Sequence, residues 1–141
     1  MTKRIEAIIF DMGGTLRVSL RVSPAKRLAC VGKIAALIDK DLSTSELAQQ
    51  LSDRYRAYRR WSIRTMVELN EQDQWTQWLL PDLPAELVSS KAQELNQLWR
   101  DATGKRVVFP ETQETVLTLF RRGYRLGMVS NTTSSVEVPR T

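Results

Sequence analysis

Histidine is absent from this 141-residue chain and cysteine occurs once, at Cys30. These two scarcities exclude a zinc site as well as Cys–His and Ser–His catalytic pairs. A lone cysteine inside a helical pattern leaves no disulfide framework and points to a reducing, cytoplasmic setting. Long apolar runs are missing too, and none approaches the roughly 18–20 residues needed to cross a bilayer. Lys3-Arg4 ahead of Ile5-Glu6-Ala7-Ile8-Ile9-Phe10 has the outline of a signal peptide. The apolar part is short, carries Glu6 and runs directly into Asp11, so neither a leader nor a membrane partner is expected. No Pro-, Gly- or Ser-rich linker, low-complexity tract or internal repeat divides the chain.

What is present suits one globular domain with a single core: 42% of residues are hydrophobic and 26% charged. The net charge of +5 directs attention to Arg54-Tyr55-Arg56-Ala57-Tyr58-Arg59-Arg60-Trp61, with Arg64 just beyond. On a helical wheel Arg56, Arg59, Arg60 and Arg64 share one face, while Tyr55, Tyr58 and Trp61 share roughly the opposite one. Base stacking needs aromatics interleaved with cations on a single surface. Segregation therefore predicts a solvated basic face over a packed aromatic stripe, and no nucleic-acid partner.

Helical patterning dominates the middle of the chain. Val18, Leu20 and Val22 alternate with Arg17, Ser19 and Arg21, which predicts a short hairpin or extended flap. Ser23-Pro24 then opens a helix, with Leu28, Val31, Ile34, Ala35 and Ile38 on its apolar face. Ser43-Thr44-Ser45-Glu46 is a capping box for a second helix carrying Leu47, Leu51, Tyr55 and Tyr58. A third stretch runs from about Val67 to Leu80 with Trp75 and Trp78, and Pro81 and Pro84 break it. A fourth, from Ala85 to about Arg100, sets Leu87, Val88, Leu95, Leu98 and Trp99 along one stripe. The tryptophans fall on apolar stripes and read as core.

Two strand ends carry the chemistry. The apolar run Ile5 to Phe10 reads as a buried strand of a parallel sheet and delivers Asp11 into Met12-Gly13-Gly14-Thr15. Open α/β sheets place ligands at the carboxyl ends of their strands. The paired glycines let the backbone bend sharply and turn amides toward an anion. Downstream, Pro110 leads a helix from Glu111 to Arg122 with Val116, Leu117, Leu119 and Phe120 facing inward, and Gly123 stops it. A second buried strand, Tyr124 to Val129, ends in Ser130-Asn131-Thr132-Thr133-Ser134-Ser135, hydroxyl and amide groups that can donate to an anion.

Asp-x-Gly-Gly-Thr alone is shared by two groups, the haloacid dehalogenase superfamily and the sugar kinase and actin-like ATPases. The full order of strand, Asp11-Met12-Gly13-Gly14-Thr15, flap, helical insert, Pro-led helix, glycine, strand and Ser130-Asn131 resembles the haloacid dehalogenase superfamily with a helical cap. The kinase-like alternative expects further strands soon after its phosphate loop, whereas residues 24–101 read helical. The resemblance implies an α/β fold, a Rossmann-like parallel sheet core, here incomplete, with an inserted helical-bundle cap. Residues 1–22 and 102–141 then form the core and 23–101 the cap.

The implied chemistry is covalent phosphoryl transfer on a small phosphorylated metabolite. Asp11 matches the nucleophile, Ser130 the phosphate-binding hydroxyl and Thr15 the turn-closing residue. Met12, Gly13, Gly14, Ser130 and Asn131 would hold the phosphoryl group, with Mg²⁺ on the Asp11 carboxylate and the Gly13 carbonyl oxygen. Two departures qualify the match. Family phosphatases carry a general acid two positions after the nucleophile, where this chain has Gly13, a loss worth about 10²–10⁴-fold. Dehalogenases need no such acid and are the alternative activity. The family's later Lys and carboxylate motifs do not follow Ser130, so the chain reads as the amino-terminal portion of a longer hydrolase. A non-catalytic, truncated or degenerate member is the remaining alternative, and the unpartnered apolar strand Ile5 to Phe10 predicts self-association through the sheet edge.

Overall fold

A computed structural model describes residues 5–39 and 42–131. The polar stretch after Asn131, Thr132 to Ser135, lies outside the described residues. In chain order the elements are β1 (Ala7–Asp11), β2 (Arg17–Leu20), α1 (Pro24–Ile38), α2 (Thr44–Thr65), α3 (Glu71–Gln74), α4 (Ala85–Thr103), β3 (Lys105–Val108), α5 (Thr112–Arg121) and β4 (Arg125–Val129). A π-helical turn, Trp75–Leu79, continues α3. The fold is mixed α/β, and among the described residues it divides into a strand unit, residues 5–21 and 104–131, and a helical unit, residues 22–103. No helix is long and apolar enough to cross a membrane among the described residues.

Local signals start the helices. The Ser23 hydroxyl accepts from the Lys26 amide at 3.2 Å, and Pro24 occupies the first helical position, where its missing N–H costs nothing. At α2 the Ser43 side chain accepts from the Glu46 amide at 3.3 Å, and the Ser43 amide donates to Glu46 Oε2 at 3.1 Å. The Ser43 hydroxyl also donates to Glu46 Oε2 at 2.5 Å, and this bond together with that from the Ser43 amide holds the Glu46 carboxyl below its ordinary value. Asp39 closes α1 and Met66 closes α2, both in the left-handed region with φ of 47° and 57°. Lys91 Nζ donates to the Leu37 carbonyl at 2.5 Å, satisfying an orphan acceptor at the end of α1.

The helical unit holds the core. Val31, Ile34 and Ile38 of α1, Leu47 and Leu51 of α2, Trp75, Leu79 and Leu80, and Val88, Leu95 and Trp99 of α4 form one buried cluster. Beside it Tyr55, Tyr58, Trp61, Trp78 and Trp99 make a chain of tilted and edge-to-face ring contacts with centroids 5.3–6.3 Å apart. The arginines of α2 point elsewhere: Arg54 pairs with Asp82 at 2.6 Å, Arg56 with Asp53, and Arg59 with Glu68 at 3.1 Å. The π-helical turn, marked by the Leu80 amide donating to the Trp75 carbonyl at 2.8 Å, ends the segment just before Pro81.

The strand unit contains two two-stranded sheets. β1 pairs parallel with β4, setting Ala7 beside Arg125, Ile9 beside Gly127 and Asp11 beside Val129. β2 does not form a hairpin. It pairs antiparallel with β3, Arg17 beside Val108 and Leu20 beside Lys105, a partner beyond the reach of local pattern. The runs expected to be buried are not: Ile9 is 69% and Val129 61% exposed, and burial alternates along β1. The cause is the thinness of this unit, in which α5 flanks one face of the β1–β4 pair. Even there the inward set is smaller than expected, since Phe120 is 66% exposed while Val116 and Leu119 are half-buried.

Two outcomes follow for stability. Leu51→Ala, which opens a cavity in the sealed core, is expected to cost about 2–5 kcal/mol in denaturant unfolding followed by helical circular dichroism, whereas Phe120→Ala stays within roughly 0.5 kcal/mol. Burial pushes the Tyr58 phenol above its ordinary value, although the Leu69 amide donates to its oxygen at 3.1 Å. The folded state keeps that proton longer than the unfolded chain. Its contribution is therefore complete below about pH 10, the ordinary phenol value, and is lost as pH rises through the raised one. Tyr58→Phe is expected to flatten the alkaline fall in melting temperature.

Candidate functional site

The site grows from the pairing of β1 with β4. Because Asp11 lies beside Val129 in a parallel pair, the two strands end at the same level. Asp11, Met12 and Gly13 on one chain segment and Ser130 and Asn131 on the other therefore emerge together, about 4.8 Å apart between neighbouring strands. Asp11 is exposed and Ser130 half-buried. Side chains alternate across the sheet, so Asp11 shares its face with Ala7, Ile9, Arg125, Gly127 and Val129, and Phe10 points to the face flanked by α5.

The loop after Asp11 is tightly built. Both the Leu16 and Arg17 amides donate to the Met12 carbonyl, at 3.0 and 3.1 Å, and the Gly14 amide donates to the Arg17 carbonyl at 2.7 Å. Gly14 adopts φ of +80°, a conformation that an L side chain resists. The Leu16 carbonyl in turn accepts from the Phe109 amide at 3.2 Å and the Thr112 hydroxyl at 3.0 Å. These bonds anchor the loop to the start of α5.

This geometry revises the anion nest. The Gly14 amide is committed to Arg17 and cannot also hold a phosphoryl oxygen. Gly13 is different: its amide has no such bond, and a Cβ placed there would meet nothing within 4 Å. Among the described residues, space and an amide with no backbone acceptor therefore sit directly beside Asp11. Thr15 is exposed and lines a cleft of about 280 Å³ with Phe10, Leu16, Phe109, Thr112 and Val116, on the side away from the Asp11 carboxylate.

For a metal, the available donors are the Asp11 carboxylate and the Gly13 carbonyl oxygen. Among the described residues no group of three His, Cys, Asp or Glu side chains gathers anywhere. Two hard oxygens beside open space fit a Mg²⁺ ion, which keeps several waters and takes substrate phosphate oxygens as further ligands. Glu6 stands at the opposite end of β1 and cannot join them.

Three comparisons, with protein-family models, curated proteins and solved structures, found no match to this chain. The site is thus defined by its own geometry. Sequence reading did not anticipate the Leu16 carbonyl as the point where loop and α5 meet. The signal was present, since Thr112 follows Pro110 at a helix start, but its partner lies far upstream.

The two glycines are expected to respond differently. Gly14→Ala strains the left-handed turn and should lower the protection of the β1 and β4 amides against hydrogen exchange by about 1 kcal/mol. Gly13→Ala, with open space around it, should leave that protection unchanged.

Proposed function

We propose that this chain is a hydrolase of the haloacid dehalogenase type, with a Rossmann-like strand unit and a helical cap, acting as a Mg²⁺-dependent phosphatase on a small phosphorylated metabolite. What supports the reading is the shared strand end, where the β1–β4 register brings the backbone that leaves Asp11 level with the backbone that leads into Ser130, beside the open Gly13 position. A cytoplasmic location fits the lone, unpaired Cys30.

The chain's own groups divide the work as follows. An Asp11 carboxylate oxygen attacks phosphorus in line, forming an O–P bond as the bond to the leaving oxygen breaks and that oxygen departs with the electron pair. The Ser130 hydroxyl and the Gly13 amide donate to the equatorial oxygens, where negative charge must be held in place. Water then attacks the phosphorus of the aspartyl-phosphate, releasing inorganic phosphate and restoring the carboxylate. A Mg²⁺ ion held by Asp11 and the Gly13 carbonyl would supply charge neutralisation at those oxygens.

Gly13 shapes the substrate class. No side chain at that position can protonate the leaving group, so substrates that leave without a proton are favoured. Phosphate esters of acidic alcohols and acyl phosphates meet that demand. Hydrolysis of a 2-haloacid at the same Asp11 meets it as well, since halide leaves unprotonated, and this is the second reading that the same glycine favours.

The decisive test is capture of beryllium trifluoride on Asp11 with Mg²⁺, read by ¹⁹F NMR. The bound signal is expected in the native chain and absent in Asp11→Asn, and a signal that persists in that variant removes the mechanism. Gly13→Asp, for which the backbone leaves room, is expected to raise turnover of simple phosphate monoesters on the order of tenfold or more. Chloride release from a 2-chloroacid with no phosphate release from any ester would move the assignment to the second reading.

A further inference from the structure

Half-buried Arg27, near the start of α1, is held in place by neutral groups. Its Nη2 donates to the Ser52 hydroxyl of α2, and its guanidinium carbon lies over the Trp99 ring of α4, 6.0 Å from the centroid. Ser52 in turn donates to the Ala48 carbonyl, so its hydroxyl proton is spent there and its lone pairs are left for Arg27. Tyr55 packs edge-on against the same indole, with centroids 6.2 Å apart. The acid beside Ser52, Asp53, is engaged by Gln49 Nε2 at 3.0 and 3.1 Å and by Arg56. Two helices therefore aim the Arg27 guanidinium without a carboxylate to neutralise it among the described residues.

Partial burial of a cation without a counter-charge is costly. A planar guanidinium presents five N–H groups, and Ser52 takes one. Lying over an indole keeps the others at the rim, in the fork that fits two oxygens of a carboxylate or phosphate side by side. Trp99 supplies a second, independent sign. It is 4% exposed, yet its Nε1–H is buried with no acceptor among the described residues. Buried donors are almost always matched. Arg27 and Trp99 both call for an acceptor oxygen.

We propose that Arg27, backed by Trp99 and Ser52, is a binding site for a small oxyanion, a carboxylate or a phosphate. The oxyanion takes N–H groups from the rim of the guanidinium and supplies the acceptor that the Trp99 indole lacks. Arg27 follows the Ser23 cap by about one turn, so the positive end of α1 adds to the attraction. Every group involved belongs to α1, α2 or α4. The site stands whether or not Asp11 is a nucleophile.

Titration of the ¹⁵N-labelled whole chain with sodium phosphate and, separately, sodium acetate tests this, against sodium chloride at the same ionic strength. Mg²⁺ is left out so that phosphate does not gather at Asp11. The NMR resonances of Arg27 Nε–H and Trp99 Nε1–H are expected to shift together and saturate, and to do so again in Asp11→Asn. Saturation by phosphate alone marks a phosphate-bearing ligand, and saturation by acetate alone a carboxylate. Arg27→Lys keeps the charge and loses the fork, so binding should weaken at least about tenfold, whereas Arg56→Gln should leave it unchanged. Ser52→Ala retains the arginine and removes its aim, which guards against misfolding at Arg27, and should weaken binding about threefold. Shifts that stay linear with concentration, equal shifts with chloride, or saturation that withstands Arg27→Lys would overturn the proposal.

Discussion

The parallel pairing of β1 with β4 is the constraint on which the candidate site depends. It joins segments at opposite ends of the described chain and sets Asp11 level with Val129, so that Ser130 follows at the same edge. A slip of one residue would carry the Asp11 side chain to the α5 face and away from Gly13. The Leu16 carbonyl steadies the arrangement by accepting from both Phe109 and Thr112, so that the loop after Asp11 is held to the chain that leads into α5.

Burial is distributed unevenly between the two units, and this decides how each behaves. The helical unit seals Trp75, Leu51, Leu95 and their neighbours fully, and close packing there makes volume changes costly. Its aromatic chain from Tyr55 to Trp99 is turned toward other rings, while Arg54, Arg56 and Arg59 are engaged by acids. The strand unit keeps its candidate site residues on an open surface with half-covered apolar faces. Catalytic groups are commonly carried on such thinly supported segments, where local opening is easiest.

The starts of α1 and α2 were legible because their signals are local, whereas the third helix, expected from about Val67, begins only at Glu71 behind the Asn70 cap. Ser23-Pro24 and the Ser43/Glu46 box each act within four residues, and both form as the sequence predicts. The strand at Lys105–Val108 was not legible, because its reason for being extended is β2, on the far side of the helical segment. The same distance hid the role of the Leu16 carbonyl. The apolar runs at β1 and β4 were read as buried, yet burial is a property of what covers a strand, and that is not written in the strand itself. Gly14 was legible as a bend and not as a spent donor, since the Arg17 carbonyl that takes its hydrogen comes from the returning chain.

By itself, the sequence determined which residues are candidates for chemistry. A carboxylate ahead of two glycines and a serine after a second apolar run are the groups that the resemblance singles out. It also determined the helices, whose periodicity and caps are short-range properties of the backbone. Only the tertiary structure decided that Asp11 and Ser130 share a strand end, that Gly13 stays open while Gly14 is consumed, and that the core belongs to the helical unit alone. Those outcomes depend on hydrogen bonds and contacts between segments far apart in the chain, and such pairings form only once the chain has closed on itself.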